Sequence, residues 1–164
     1  MLPARVLPFF MAILLALAAP ALAIPRPGDT APPFSLTTAD GKTISNVALR
    51  NRPVYLNFFA TWCGPCRLET PSIVALSKKY AARGLRVIGV DVGESLGKAQ
   101  GFARDFGIPY ALAVDSDNST RATYGGGLYF PLHVFIDANG VVRMYHPGEM
   151  SASEIEATLA RIIK

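Results

Sequence analysis

The chain has 164 residues, 51% hydrophobic and 17% charged, with no tract of a single residue type, which fits one globular domain and excludes a disordered or collagen-like chain. Its net charge of +4 comes from 16 Lys+Arg interspersed with 12 Asp+Glu, too weak and too mixed a field for a nucleic-acid binder. There are two cysteines, Cys63 and Cys66, so a four-ligand zinc site would need both His133 and His146 as well.

Residues 6–23 are almost wholly apolar, follow Arg5 and end in Ala21-Leu22-Ala23, with small residues at both specificity positions of a signal-peptidase site. The pattern predicts a signal peptide over residues 1–23 and a mature domain over 24–164 in an oxidising compartment outside the cytoplasm. A retained single-span anchor is the alternative, because the run is just long enough to cross a bilayer. Pro8, Pro20 and the Ala-x-Ala ending favour cleavage.

The mature chain opens with a proline-rich lead-in over residues 24–33 that has no periodicity. Phe34–Leu36 and Lys42–Ile44 flank the turn Asp40-Gly41 and predict a hairpin. Val54–Phe59 is apolar except for Asn57, as expected of a strand buried on both faces. From the cysteines to about Ala82, Leu68, Ile73, Val74, Leu76 and Tyr80 recur at helical spacing, with Pro71 as a kink and Gly84 as a stop. Leu85–Val92 reads as a second buried strand, Ser95–Phe106 as a helix closed by Gly107, and Tyr110–Val114 as a strand. Asn118–Tyr124 predicts a short helix, Gly125–Gly127 a flexible loop, and His133–Ile136 with Val141–Tyr145 a hairpin. Ser151 and Glu154 form a capping-box pattern that opens a last helix ending near Ile163. The order is ββ, then βαβαβα, then ββα, an α/β sandwich with a mixed central sheet.

Trp62-Cys63-Gly64-Pro65-Cys66 falls where a buried strand turns into a helix. Cys63 therefore sits at the helix start, where free backbone N–H groups and the positive end of the helix dipole favour thiolate over thiol. Such a thiol can attack a disulfide, and Cys66, inside the first turn and more buried, can then resolve the mixed disulfide. A purely structural disulfide is the competing reading, but a bridge spanning three residues closes almost no loop and constrains the unfolded chain little. Pro65 restrains the turn between the cysteines, and Trp62 is expected to form a surface beside Cys63.

The run from Val54 through Trp62-Cys63-Gly64-Pro65-Cys66-Arg67 resembles the active-site segment of the thioredoxin superfamily. Glu69, Pro71 and Val87-Ile88-Gly89-Val90 make it similar to the exported thiol:disulfide interchange proteins of the TlpA/ResA type. The resemblance covers the mature domain from about Pro25 onward. It implies a thioredoxin-like three-layer sandwich, a mixed central sheet flanked by helices with an N-terminal β-hairpin. It further implies a redox-active Cys63–Cys66 disulfide with no other cofactor and no metal, protein disulfides as substrates, and electrons drawn from a membrane thiol:disulfide carrier. Asn57 stands where thioredoxin has a buried aspartate and cannot shuttle a proton; the resemblance gives that part to Glu69, with a solvated helix carboxylate as its plain alternative. Phe130-Pro131 falls at the family's cis-proline loop, which implies that Pro131 faces the cysteines and that Phe130, Trp62, Gly64 and Pro65 border the substrate.

The reading is a periplasmic thiol:disulfide oxidoreductase that reduces selected protein disulfides, with cytochrome c maturation as one setting. Two rivals are an oxidase of folding proteins and a copper metallochaperone that uses the cysteines as soft ligands. Gly64-Pro65 lacks the histidine that strongly oxidising relatives place between the cysteines, which argues against the first. His133 reads as a strand side chain without chemistry and His146 as surface decoration.

Overall fold

The computed structural model describes residues 24–125 and 129–163. The predicted signal segment, and two of the three residues of the predicted Gly125–Gly127 loop, lie outside the described residues. Among the described residues seven strands form one sheet: β1 (Ser35–Thr38), β2 (Thr43–Ser45), β3 (Val54–Phe59), β4 (Arg86–Val92), β5 (Ala111–Asp115), β6 (Leu132–Ile136) and β7 (Val142–Pro147). Their spatial order is β2-β1-β5-β4-β3-β6-β7, with β3, β4 and β5 parallel and the outer pairings antiparallel. Among the same residues, three α-helices connect strands, α1 (Gly64–Tyr80), α2 (Leu96–Phe106) and α3 (Ser119–Thr123), and a fourth, α4 (Ala152–Ile162), follows β7. None of the described helices is long and apolar enough to cross a membrane.

Every residue of β3 is buried, as expected of a central parallel strand covered on both faces. Tyr55 packs with Ile73 and Leu76 of α1 and Leu159 of α4, and Phe59 packs with both cysteines and Phe102 of α2. Leu56 and Phe58 point the other way, into a cluster closed by Phe34, Leu49 and Tyr124. One face of the sheet thus carries three helices. The lead-in, the β2–β3 connection and the end of α3 close the other.

The proline-rich lead-in is docked on the domain: Gly28 N–H donates to the Val142 carbonyl at 2.8 Å and Ala31 N–H to the Gly140 carbonyl at 2.9 Å. The predicted hairpin is present, with Leu36 opposite Ile44, and it adds to the sheet by pairing β1 with β5. Helix α1 runs through Pro71 and passes into a 3₁₀ turn, Ala81–Arg83, before Gly84 takes the left-handed conformation at φ 86°. The capping box is formed: Glu154 N–H donates to Ser151 Oγ at 3.3 Å, and Ser151 N–H to Glu154 Oε2 at 2.8 Å. Leu68 departs from expectation. It belongs to the apolar spacing of α1 in the sequence, yet it is 80% exposed, because the buried face of the first turn is occupied by Cys66, Glu69 and Thr70.

Candidate active site

The carboxyl end of β3 passes through Ala60-Thr61-Trp62 into α1, and Cys63 N–H donates back to the Ala60 carbonyl at 3.0 Å to tighten the turn. Cys63 is the N-cap of α1. Its backbone is extended, and its Sγ accepts the Cys66 N–H at 3.2 Å, so a helix-start N–H points at that sulfur. This is the setting that stabilises negative charge on a cysteine. Pro65 in the first helical turn costs the helix no hydrogen bond, because amides there have no intrahelical acceptor. At Gly64 an added Cβ would meet nothing within 4 Å, so its backbone lies open beside Cys63.

The two sulfurs are bonded at 2.03 Å. The expected contrast in burial is slight: Cys63 is 5% exposed and Cys66 3%, both within a buried cluster that includes Phe59 and Phe102 and against which Phe130 packs. Trp62 is 69% exposed and meets the Phe130 ring edge-on at 6.1 Å between centroids. The Phe130–Pro131 bond is cis, and the Pro131 carbonyl accepts the Gly148 N–H at 2.8 Å. Trp62, Gly64, Pro65 and Phe130 are therefore brought together around the disulfide. Two guanidiniums stack beside them, Arg121 over Phe130 at 5.5 Å and Arg67 over Phe106 at 5.1 Å.

Glu69 is buried on the inner face of α1, one turn after Cys66. Burial pushes its carboxyl up to about 7; the Met150 N–H, which donates to Oε1, works against this, and Glu149 adds to it. A solvated helix carboxylate does not describe it. Its other oxygen, Oε2, lies 3.4 Å from Nε2 of His133.

His133 differs from the expectation of a strand residue without chemistry. It is fully buried in β6 opposite Asn57, its Nδ1 lies 2.7 Å from the Tyr55 hydroxyl, and it stacks on Tyr55. Burial holds its imidazole down at about 4, with His146 adding to this and the Gly148 backbone opposing it. His146 is half-buried rather than a surface residue, with its ring 6.2 Å from that of His133. The sequence held a signal for this: β6 is otherwise apolar, and a polar ring in an all-buried strand needs a partner.

Sequence reasoning missed a pair of acids, Glu94 and Asp91. Glu94, after β4, accepts the Thr61 N–H at 2.5 Å and the Thr61 hydroxyl at 3.1 Å, tying down the loop that carries Trp62 and Cys63. Burial would raise its carboxyl, but the Thr61 N–H, Lys98 and the Thr61 hydroxyl outweigh burial and hold it below its ordinary value. Asp91, buried in β4 beside it, is pushed up to about 7, first by burial and then by the Glu94 charge. An aspartate inside the apolar run Leu85–Val92 was the available signal.

The comparisons with known proteins agree with this geometry. The Redoxin family model matches residues 26–160. The thiol-disulfide oxidoreductase ResA of Bacillus anthracis is 33% identical over 135 residues, 82% of this chain and 78% of that protein. The ResA of Geobacillus kaustophilus is 34% identical over the same share of this chain and 77% of its own. Among solved structures, a thiol:disulfide interchange protein of the thioredoxin family from Chlorobium tepidum superposes with a TM-score of 0.76 at 32% identity, covering 87% of this chain and all of that one. A disulfide-bonded Cys-Gly-Pro-Cys at a helix start, on a thioredoxin-like mixed sheet, with relatives of this kind over most of its length, makes the chain a member of the Redoxin family and a TlpA/ResA-type thiol-disulfide oxidoreductase of the thioredoxin superfamily.

Proposed function

We propose that the protein works in the periplasm as a reductant of selected protein disulfides, with cytochrome c maturation as one setting. The observation that carries the chemistry is Cys63 at the N-cap of α1, with the Cys66 N–H directed at its sulfur. In the reduced protein the Cys63 thiolate attacks one sulfur of a partner disulfide; the partner's S–S bond breaks, a mixed disulfide forms, and the other partner sulfur leaves as a thiolate. Cys66 then loses its proton to Glu69 and attacks Cys63 Sγ. The Cys63–Cys66 bond forms and the second partner thiolate departs, so two electrons have passed to the partner. Trp62, Gly64, Pro65, Phe130 and Pro131 border the partner segment. A membrane thiol:disulfide carrier returns the electrons. Export rests on the segment ending in Ala21-Leu22-Ala23.

Expression of Cys66→Ser in a bacterial host tests this. Mixed disulfides through Cys63 should accumulate in the periplasmic fraction and resolve on reduction, and Cys63→Ser should trap nothing. Trapping by Cys63→Ser, or complexes confined to the cytoplasm, would overturn the reading.

A further inference from the structure

Glu69 Oε2 and His133 Nε2 are both buried, and neither makes a well-aligned hydrogen bond with any other described group. They face each other at 3.4 Å. Two buried polar atoms so placed are costly unless one hydrogen lies between them. The groups around His133 are Tyr55 and Asn57 from β3, Glu69 from α1, His146 from β7, and Gly148 and Glu149 from the loop before α4. Asn57 Nδ2 is 3.5 Å from Nδ1, so the Tyr55 hydroxyl at 2.7 Å is the close partner on that side.

We propose that His133 is a positioning residue of the thiol–disulfide step, whose neutral imidazole pairs with Glu69 in both protonation states by exchanging tautomers. The inference rests on the reading that Glu69 takes the Cys66 proton. When Glu69 is ionised, the Tyr55 O–H donates to Nδ1, and the imidazole hydrogen sits on Nε2 and donates to Oε2. When Glu69 holds the proton, its O–H donates to Nε2, the imidazole hydrogen sits on Nδ1 and donates to the Tyr55 oxygen, and the Tyr55 hydroxyl hydrogen turns away from the ring. The second state contains one proton more than the first, the one removed from Cys66. No charge appears on the ring in either state, which suits a site where burial disfavours imidazolium. An alkyl side chain at this position would leave the ionised carboxylate one donor short, whereas an amide could serve both states by rotating.

The first measurement is ¹⁵N NMR of the imidazole in the oxidised protein, where the cysteines do not titrate. Over roughly pH 5 to 9 His133 should stay neutral and move its hydrogen from Nδ1 to Nε2 at the Glu69 midpoint, read in parallel from the carboxyl ¹³C signal. A single tautomer across that range, or protonation of the ring, overturns the proposal. The second is the pH profile of the resolving step. His133→Leu should raise the Glu69 midpoint by at least about one unit, slowing resolution about fivefold at neutral pH and converging with the wild type in alkali. His133→Gln should restore most of the profile; unchanged midpoints in both variants would sink the idea. Glu69→Gln separates the two readings. If it leaves the profile unchanged, Glu69 is not the acceptor, whatever His133 does. If it flattens the profile while His133→Leu leaves the midpoint in place, the His133 inference alone fails.

Discussion

Asp91 shows how much one side chain can depend on its surroundings. Neither carboxyl oxygen accepts a hydrogen bond, and the nearest acid, Glu94, is held ionised by Thr61 and Lys98. A proton on Asp91 lets it donate to Glu94, and losing that proton sets two negative charges side by side. The unfolded chain releases this proton near 3.8 and the native protein near 7, so between these values the native state holds more protons and stability falls as pH rises. Asp91→Asn keeps the donor without the titration. It should match the wild type near pH 4 and exceed it by on the order of 3 kcal/mol at pH 8. Urea unfolding at the two pH values checks this; Glu69 and His133 titrate in both proteins and cancel in the difference. A wild type that gains on the variant with rising pH would refute it.

Among the elements, β4 and β5 approach each other around a residue without a side chain. Gly89 stands opposite Leu112, and an added Cβ would lie 2.6 Å from Leu112 Cδ1 and 3.3 Å from the Phe59 ring. Leu112 is buried and packs in the same cluster as both cysteines, so it can give way only by disturbing that packing. Gly89→Ala should cost about 1–3 kcal/mol in thermal denaturation, and adding Leu112→Val should recover part of it. Simple additivity of the two losses would show that they do not share the space. This glycine was legible as part of a buried strand, but what it makes room for was not. Helix α1 shows the same division: its start, its stop and most of its core face follow from local spacing, whereas Leu68 points outward because the first turn is oriented by the cysteines.

At the scale of the whole molecule, the lead-in is a wall of the cluster around Leu56 and Phe58, on the face of the sheet away from the three helices. Ala31 and Phe34 are buried there, Thr30 bridges to Val141, and Val142 N–H donates to the Asp29 carbonyl at 2.9 Å. A chain beginning at Ile24 should keep its stability, while one beginning at Ser35 should lose about 3–5 kcal/mol, as for removal of a buried phenylalanine. Equal urea midpoints for the two would show that the lead-in is not part of the folding unit.

The sequence by itself determined the order of the elements, both ends of α1, the capping box of α4 and the placing of Cys63 at a helix start. These rest on interactions within a few residues, which periodicity, proline, glycine and cap residues report directly. Tertiary structure alone decided that Phe130 would close over Trp62, that Glu94 would hold Thr61 from 33 residues away, and that His133 would face Glu69. Such pairs are brought together by sheet register and helix docking. A one-residue change in register would turn His133 to the other face of the sheet, so its role could not be read before the register of β6 against β3 was known.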